Sequence, residues 1–286
     1  MGGVRSLLGT LWHVPVFLIV GGFFLRDEEV LKPISFIKKR WKTLYLKLLL
    51  YYLIFIMLHN FFFEIGFMDE HTLYSGKYIH PINSLWGWIT QLGWALLAAR
   101  EPFLGAMWFV NMLFLGVCYY SIVSYLIYKY CRKDSNEWNR AVVLFLIAFI
   151  SLYLTLVFQI HITRLTPSLV APFLIYIGYI MNRKLQLTFQ NKYVFLLCLF
   201  TLMDISLVWG KDVTLPSDSY YDMVLLVIGS VCSLYCLCFI SKKIEHTIVG
   251  KCVALCGKES FHIMALHLLG FKVATFILLI CGIKSL

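Results

Sequence analysis

Long runs of apolar residues dominate this chain of 286 residues and leave it few possible folds. About 20 apolar residues cross the hydrocarbon core of a bilayer as a helix. Inside a membrane the backbone must satisfy its own hydrogen bonds, which permits only helices and closed barrels. These runs are far longer than barrel strands and do not alternate, so the sequence predicts an all-helical polytopic membrane protein.

Hydropathy along the chain predicts about eight transmembrane helices. Their ranges are 9–25, 44–62, 107–128, 141–158, 166–182, 193–209, 222–240 and 259–282. Segment 84–98 carries three tryptophans but is short for a span, and tryptophan favours the membrane interface. We therefore expect an interfacial or re-entrant helix there, or a ninth span. No repeat or linker divides the chain, so residues 1–286 are predicted to form a single domain.

The composition agrees with a membrane protein and excludes an ordinary soluble one. The chain is 60% hydrophobic and 14% charged, whereas a soluble domain has about a quarter of its residues charged. Its formal net charge of +10 could suggest a nucleic-acid partner. The basic residues cluster in short segments between apolar runs, however, as in loops that face anionic lipid headgroups. We therefore expect membrane lipid as a partner and no nucleic acid.

The basic residues also predict which loops face the cytosol. Loops 26–43, 129–140, 183–192 and 241–258 contain 17 Lys and Arg, and the alternating segments contain five. By the positive-inside rule, the basic loops are cytoplasmic and the first span runs from outside to inside. Most of the nine cysteines lie in apolar runs and the others in these loops, so we expect reduced thiols.

The densest basic cluster is Lys38, Lys39, Arg40 and Lys42, at the predicted cytoplasmic mouth of span 44–62. One interpretation is a signal that only fixes the topology. The other is a clamp for an anionic cytosolic ligand, since arginine matches the geometry of phosphate. The spacing alone does not choose between them.

Two histidines lie in predicted spans and are candidate catalytic residues. His13 is near the outer end of the first span, and His267 is about two turns inside the last. Ionisable groups inside a membrane are costly and frequently functional, and histidine is a common general base. A neutral imidazole that bridges two helices is the alternative. No histidine or cysteine spacing fits a metal site, so we predict no metal.

Several motifs, in order along the chain, resemble the acyltransferase 3 family of bacterial membrane O-acyltransferases. The matching blocks are His13–Phe17 with Gly21–Phe24, Phe36–Leu44, Trp108–Phe114 and Gly257–His267, with a weaker match at Ala171–Phe173 and Gly178–Tyr179. The resemblance implies transfer of an acyl group, usually acetyl, from cytosolic acyl-CoA to a sugar hydroxyl. The acceptor would be an envelope or exported carbohydrate or a glycolipid, and the location the bacterial inner membrane.

The resemblance also implies roles for individual residues. Arg40, with Lys38, Lys39 and Lys42 beside it, would hold the phosphates of acetyl-CoA. Trp108, Ser260 and His267 would line the central cavity, and His13 would lie near its outer end. His13 and His267 would then be the catalytic pair.

The chain also departs from the family pattern. The family's first helix carries an Arg and a His ten residues apart, and no segment here matches it. Thr43 replaces the second arginine of the cytoplasmic block. The sequence therefore predicts either a chain clipped before Met1 or an inactive relative. A non-enzymatic scaffold or carrier is the other alternative.

Overall fold

The computed structural model describes residues 13–71, 73–74, 77–98, 101–131, 136–158, 165–205 and 223–282. The regular secondary structure of these residues is helical apart from one short hairpin between strands β1 (Leu73–Tyr74) and β2 (Lys77–Tyr78), and turns and loops join the elements. The helices are α1 (His13–Phe23), α2 (Asp27–Val30), α3 (Pro33–Arg40), α4 (Leu46–Met57), α5 (His59–Glu64), α6 (Leu85–Ala98), α7 (Trp108–Tyr130), α8 (Asn136–Val157), α9 (Leu165–Ser168), α10 (Ala171–Arg183), α11 (Lys192–Asp204), α12 (Met223–Ile244), α13 (Ile248–Lys258) and α14 (Ser260–Ile280). A π-helical turn, Trp41–Tyr45, precedes α4, and a 3-10 helix, Pro102–Met107, precedes α7.

The prediction of an all-helical membrane protein is confirmed, but the count of eight or nine spans is not. Within the described residues, four helical segments are long and apolar enough to cross a bilayer: Pro102–Tyr130, Asn136–Val157, Met223–Ile244 and Ser260–Ile280. Of the other four predicted spans, 44–62 and 166–182 contain helices α4 and α10, of 12 and 13 residues. A helix of that length is about 20 Å long, against a hydrocarbon core of about 30 Å. Spans 9–25 and 193–209 contain α1 and α11, and both spans continue outside the described residues.

The short helices α4 and α10 have local causes that hydropathy does not detect. The run 44–62 is interrupted by the π-helical turn at its start and by a turn at Leu58. The run 166–182 is broken at Leu169 and Val170, just before α10, which has Pro172 as its second residue. Segment 84–98 does contain a helix, α6, and it exposes Trp86 and Trp94.

By its internal contacts the chain divides into two compact units. The first is Met1–Arg40 with Met112–Lys251, and the second is Trp41–Asn111 with Cys252–Leu286. In the first unit, α10 packs against α1 and α8, while α12 packs against α1 and α11. In the second unit, α14 packs on the 3-10 helix, and α4 packs on that helix and on α6.

Two glycines let α1 and α10 touch through their backbones. A Cβ atom on Gly22 would lie 1.9 Å from the carbonyl oxygen of Ile175, and one on Gly178 would lie 1.8 Å from that of Ile19. Small residues at a crossing allow this close approach, as is common between membrane helices. Both glycines belong to motif blocks singled out in the sequence, so the two blocks pack on each other.

The first unit also links the four loops that the charge pattern predicts to be cytoplasmic. Asp27 pairs with Arg140 at 3.1 Å, and Glu137 pairs with Lys184 at 3.4 Å. The Lys242 ammonium donates to the carbonyl of Thr188 at 2.7 Å. Loop 26–43 thus contacts loop 129–140, which contacts loop 183–192, which contacts loop 241–258. Such contacts are expected if all four loops lie on one side of the membrane.

The glycine crossing generates a stability prediction. Gly22→Ala places a methyl group against backbone atoms that cannot rotate away, and we expect it to cost about 2 kcal/mol or more of unfolding free energy. Gly270→Ala in α14 is the control, because its added Cβ meets nothing within 4 Å and alanine favours a helix. Thermal unfolding of the purified protein in detergent measures both. Equal melting temperatures for the two variants would contradict the crossing.

Candidate functional site

In the first unit, the basic cluster ends helix α3. Lys38, Lys39 and Arg40 form its last turn, where positive charge is favoured by the partial negative charge of a helix C-terminus. Lys38 is exposed, and the Lys39 ammonium lies 3.0 Å from Glu29 Oε1. The hydrogen bond from Lys39 lowers the pKa of the Glu29 carboxyl, which therefore stays ionised at neutral pH and holds Lys39 in place.

Arg40 is the most constrained member of the cluster. Its guanidinium lies over the ring of the buried Phe36, 5.0 Å from the centroid. Its Nε is buried and has no hydrogen-bond partner among the described residues. A buried donor without an acceptor costs about 1–3 kcal/mol, and an anionic ligand would satisfy it. Lys42 is exposed in the π-helical turn, which belongs to the second unit.

A buried arginine holds the loop that precedes α3. The Arg140 side chain is almost fully buried and pairs with Asp27, whose side chain is 38% exposed. The Arg140 guanidinium also donates to the Tyr120 hydroxyl at 3.2 Å, and the Tyr179 hydroxyl donates to Asp27. The guanidinium lies over the rings of Tyr120 and Tyr179, at 5.9 and 5.4 Å. Nη1 of Arg140 therefore has two partners, whereas its buried Nε has none among the described residues.

In the second unit, helix α14 carries His267. Its Nδ1 lies 2.9 Å from the carbonyl oxygen of Met264, and its ring meets the edge of Phe271 at 5.8 Å. A carbonyl oxygen can only accept, so in a neutral imidazole the proton is on Nδ1 and the lone pair on Nε2. Among the described residues, no group hydrogen-bonds to Nε2. The arrangement therefore leaves that nitrogen able to take a proton.

The other predicted site residues of the second unit lie near the starts of helices. Ser260 is the first residue of α14 and is exposed, and it lies two turns before His267 on the same helix face. Trp108 is half-buried at the start of α7, directly after the 3-10 helix against which α14 packs. In the first unit, His13 is the first described residue of α1, but its side chain lies outside the described residues.

His262 is held by a contact of its own. Its Nδ1 lies 2.6 Å from the hydroxyl of Tyr51, which ties the start of α14 to α4. His262 and His267 are five residues apart and so project about 140° from each other around the helix. His262 is therefore occupied by a structural contact, while His267 keeps one nitrogen open.

Sequence reasoning missed a buried pair in this unit, His59 and Glu101. Their exposed fractions are 2% and 0%, and His59 Nδ1 lies 3.6 Å from Glu101 Oε1. His59 Nε2 faces the carbonyl of His80 at 3.2 Å, and Gln91 donates to Glu101 at 3.3 Å. His59 lies in an apolar run, the same signal that singled out His267, but nothing in the sequence connects it with Glu101.

These features define a polytopic helical membrane protein with ionisable groups in its spanning segments. The sequence profile of the acyltransferase 3 family, described as an acyltransferase domain, matches residues 4–282. The chain therefore belongs to this family, as its motifs predict, and is a membrane acyltransferase. No curated protein and no solved structure matches it.

The buried Arg140 predicts an asymmetry between two ion pairs of the first unit. Arg140→Met removes a buried guanidinium that pairs with the partly exposed Asp27 and donates to the Tyr120 hydroxyl, and it should cost about 1–3 kcal/mol of unfolding free energy. Lys184→Met breaks a half-exposed pair with Glu137 and should cost about 1 kcal/mol or less. Chemical unfolding in detergent measures both. Similar losses for the two variants would contradict the assigned role of Arg140.

Proposed function

We propose that the protein transfers an acyl group, most simply acetyl, from acyl-CoA to a hydroxyl of an envelope or exported carbohydrate. The family match carries this proposal, because it covers almost the whole chain and defines acyl transfer as the reaction class. A glycan or glycolipid acceptor and the bacterial inner membrane are the substrate class and location that the sequence resemblance implies.

The donor is an anion, and the basic cluster is its proposed site. Arg40, with Lys38 and Lys39 beside it and Lys42 after it, binds phosphates of the CoA moiety. Two observations support Arg40 in particular: its buried Nε has no partner among the described residues, and its guanidinium is fixed over Phe36. Fixed donors bind with a smaller entropy cost than mobile ones.

The proposed chemistry needs one general base. Nε2 of His267 accepts the proton of the acceptor hydroxyl as that oxygen bonds to the carbonyl carbon of the thioester. The tetrahedral intermediate then breaks its carbon–sulfur bond, and the thiolate leaves and takes the proton back from the imidazolium. The products are the sugar ester and free CoA. The hydrogen bond from Nδ1 to Met264 supports this role because it keeps the proton off Nε2.

The remaining predicted residues complete the proposal. Trp108 and Ser260 line the substrate cavity, and His13, the other predicted catalytic histidine, lies at its outer end, where the acceptor enters. We also propose that all eight helical segments enter the membrane, with the four linked basic loops on the cytosolic side. The contacts among those loops support this topology.

His267 is tested against its neighbour on the same helix. His267→Gln removes the base and should lower the rate of transfer from radiolabelled acetyl-CoA in washed source membranes by about 100-fold or more. His262→Gln is the matched control, because His262 contacts Tyr51 and has no assigned role in catalysis. It should keep the rate within a few-fold. A His267→Gln variant with normal rate would remove His267 from the mechanism.

A further inference from the structure

A pocket with two arginines opens on the loop face of the first unit. It has a volume of about 370 Å³. Its walls are Arg26, Asp27 and Glu28 at the start of α2, and Tyr179 and Arg183 at the end of α10. The two walls come from loops 26–43 and 183–192, both predicted to be cytosolic. The volume lies in the range of about 300–1,000 Å³ typical of small-molecule sites.

Several contacts join the two chain segments that form this pocket. The glycine crossing of α1 and α10 brings the segments together. Beyond the crossing, the Asn182 amide donates to the carbonyl of Phe23 at 2.8 Å, and the Tyr179 hydroxyl donates to Asp27. Asp27 is also paired with the buried Arg140. These contacts hold the backbone on both sides of the pocket, and the Arg26 and Arg183 side chains are exposed on it.

The charges that face the pocket favour an anion. The charge of Asp27 is already matched by Arg140, whereas Arg26 and Arg183 form no ion pair within the described part of the chain. Each presents a planar guanidinium that can bind phosphate through two parallel hydrogen bonds. Glu28 is the one remaining carboxylate of the lining, and it can accept from an amino group.

The pocket adjoins the basic cluster through helix α2. Asp27 and Glu28 line the pocket, and Glu29 of the same short helix holds Lys39 at 3.0 Å. An anion in the pocket and an anion at the end of α3 would therefore be neighbours. Acyl-CoA has this pattern, because a 3′-phosphate on its ribose is separated by that sugar from its diphosphate.

We propose that this pocket binds the 3′-phosphoadenosine end of the acyl donor, a role that rests on the proposed function. Arg26 and Arg183 bind the 3′-phosphate, and Glu28 accepts from the amino group of adenine. Arg40 and Lys39 bind the diphosphate. The pocket thus selects donors that carry a 3′-phosphate, whatever acyl group they bear.

The test compares two donors, acetyl-CoA and 3′-dephospho-acetyl-CoA, on the full-length protein in nanodiscs. The wild type should bind acetyl-CoA about tenfold or more tightly than the dephospho form. Arg183→Ala and, separately, Arg26→Ala should weaken acetyl-CoA binding toward the dephospho value and leave dephospho binding unchanged. Arg40→Ala should weaken both donors alike, since both contain the diphosphate. Lys184→Gln, a cation already paired with Glu137, should keep the wild-type ratio.

Each result decides a different claim. If Arg183→Ala and Arg26→Ala each lose the preference for acetyl-CoA over the dephospho form, the pocket is supported as the site of the 3′-phosphate. If the wild type binds both donors equally, or if the two arginine variants keep the wild-type preference for acetyl-CoA, the proposed role of the pocket is wrong. Acyl-CoA would then remain the proposed donor. A wild type that binds neither donor would overturn the proposed donor and the pocket with it.

Discussion

The first unit depends on the backbone contact between α1 and α10. Gly22 and Gly178 lie at the crossing, and neither position has room for a side chain. In a membrane, helices gain little by hiding apolar surface from one another, so close packing is a main source of association. The contact also fixes the direction in which both chain segments leave their helices. Phe23 and Asn182 then meet directly beyond it.

The polar structure on the loop face follows from this crossing. It brings Asp27 to Tyr179 and within reach of Arg140, which comes from a third helix. A buried charged group is tolerated only when its ion pair and hydrogen bonds offset the loss of water, and here the hydroxyls of Tyr120 and Tyr179 bond to Arg140 and Asp27. The short helix α2 is thereby held in place, and with it Glu29 and its partner Lys39. The proposed site for an anionic donor therefore adjoins a short helix that is held by these contacts.

The sequence predicts the structure best where one physical rule dominates. Hydropathy predicted the helical membrane class, and charge asymmetry predicted which loops belong together, because both depend on composition over many residues. The family was predicted from motifs, and the profile match confirms it. Hydropathy did not predict the short helices, since the turn at Leu58 and the break before Pro172 depend on single residues. The pairing of Asp27 with Arg140 joins residues 113 positions apart and carries no local signal. His59 with Glu101 was missed for the same reason.

The central claim is that the donor is used from the face that carries the basic loops. Right-side-out and inside-out membrane vesicles, supplied with radiolabelled acetyl-CoA, test it directly. Labelling of the exposed Cys252 by an impermeant maleimide reports which face is outward in each preparation. The account predicts that acyl transfer occurs in the vesicles in which Cys252 is accessible and is absent from those in which it is protected. Transfer confined to the opposite orientation, or no transfer in either, would contradict it.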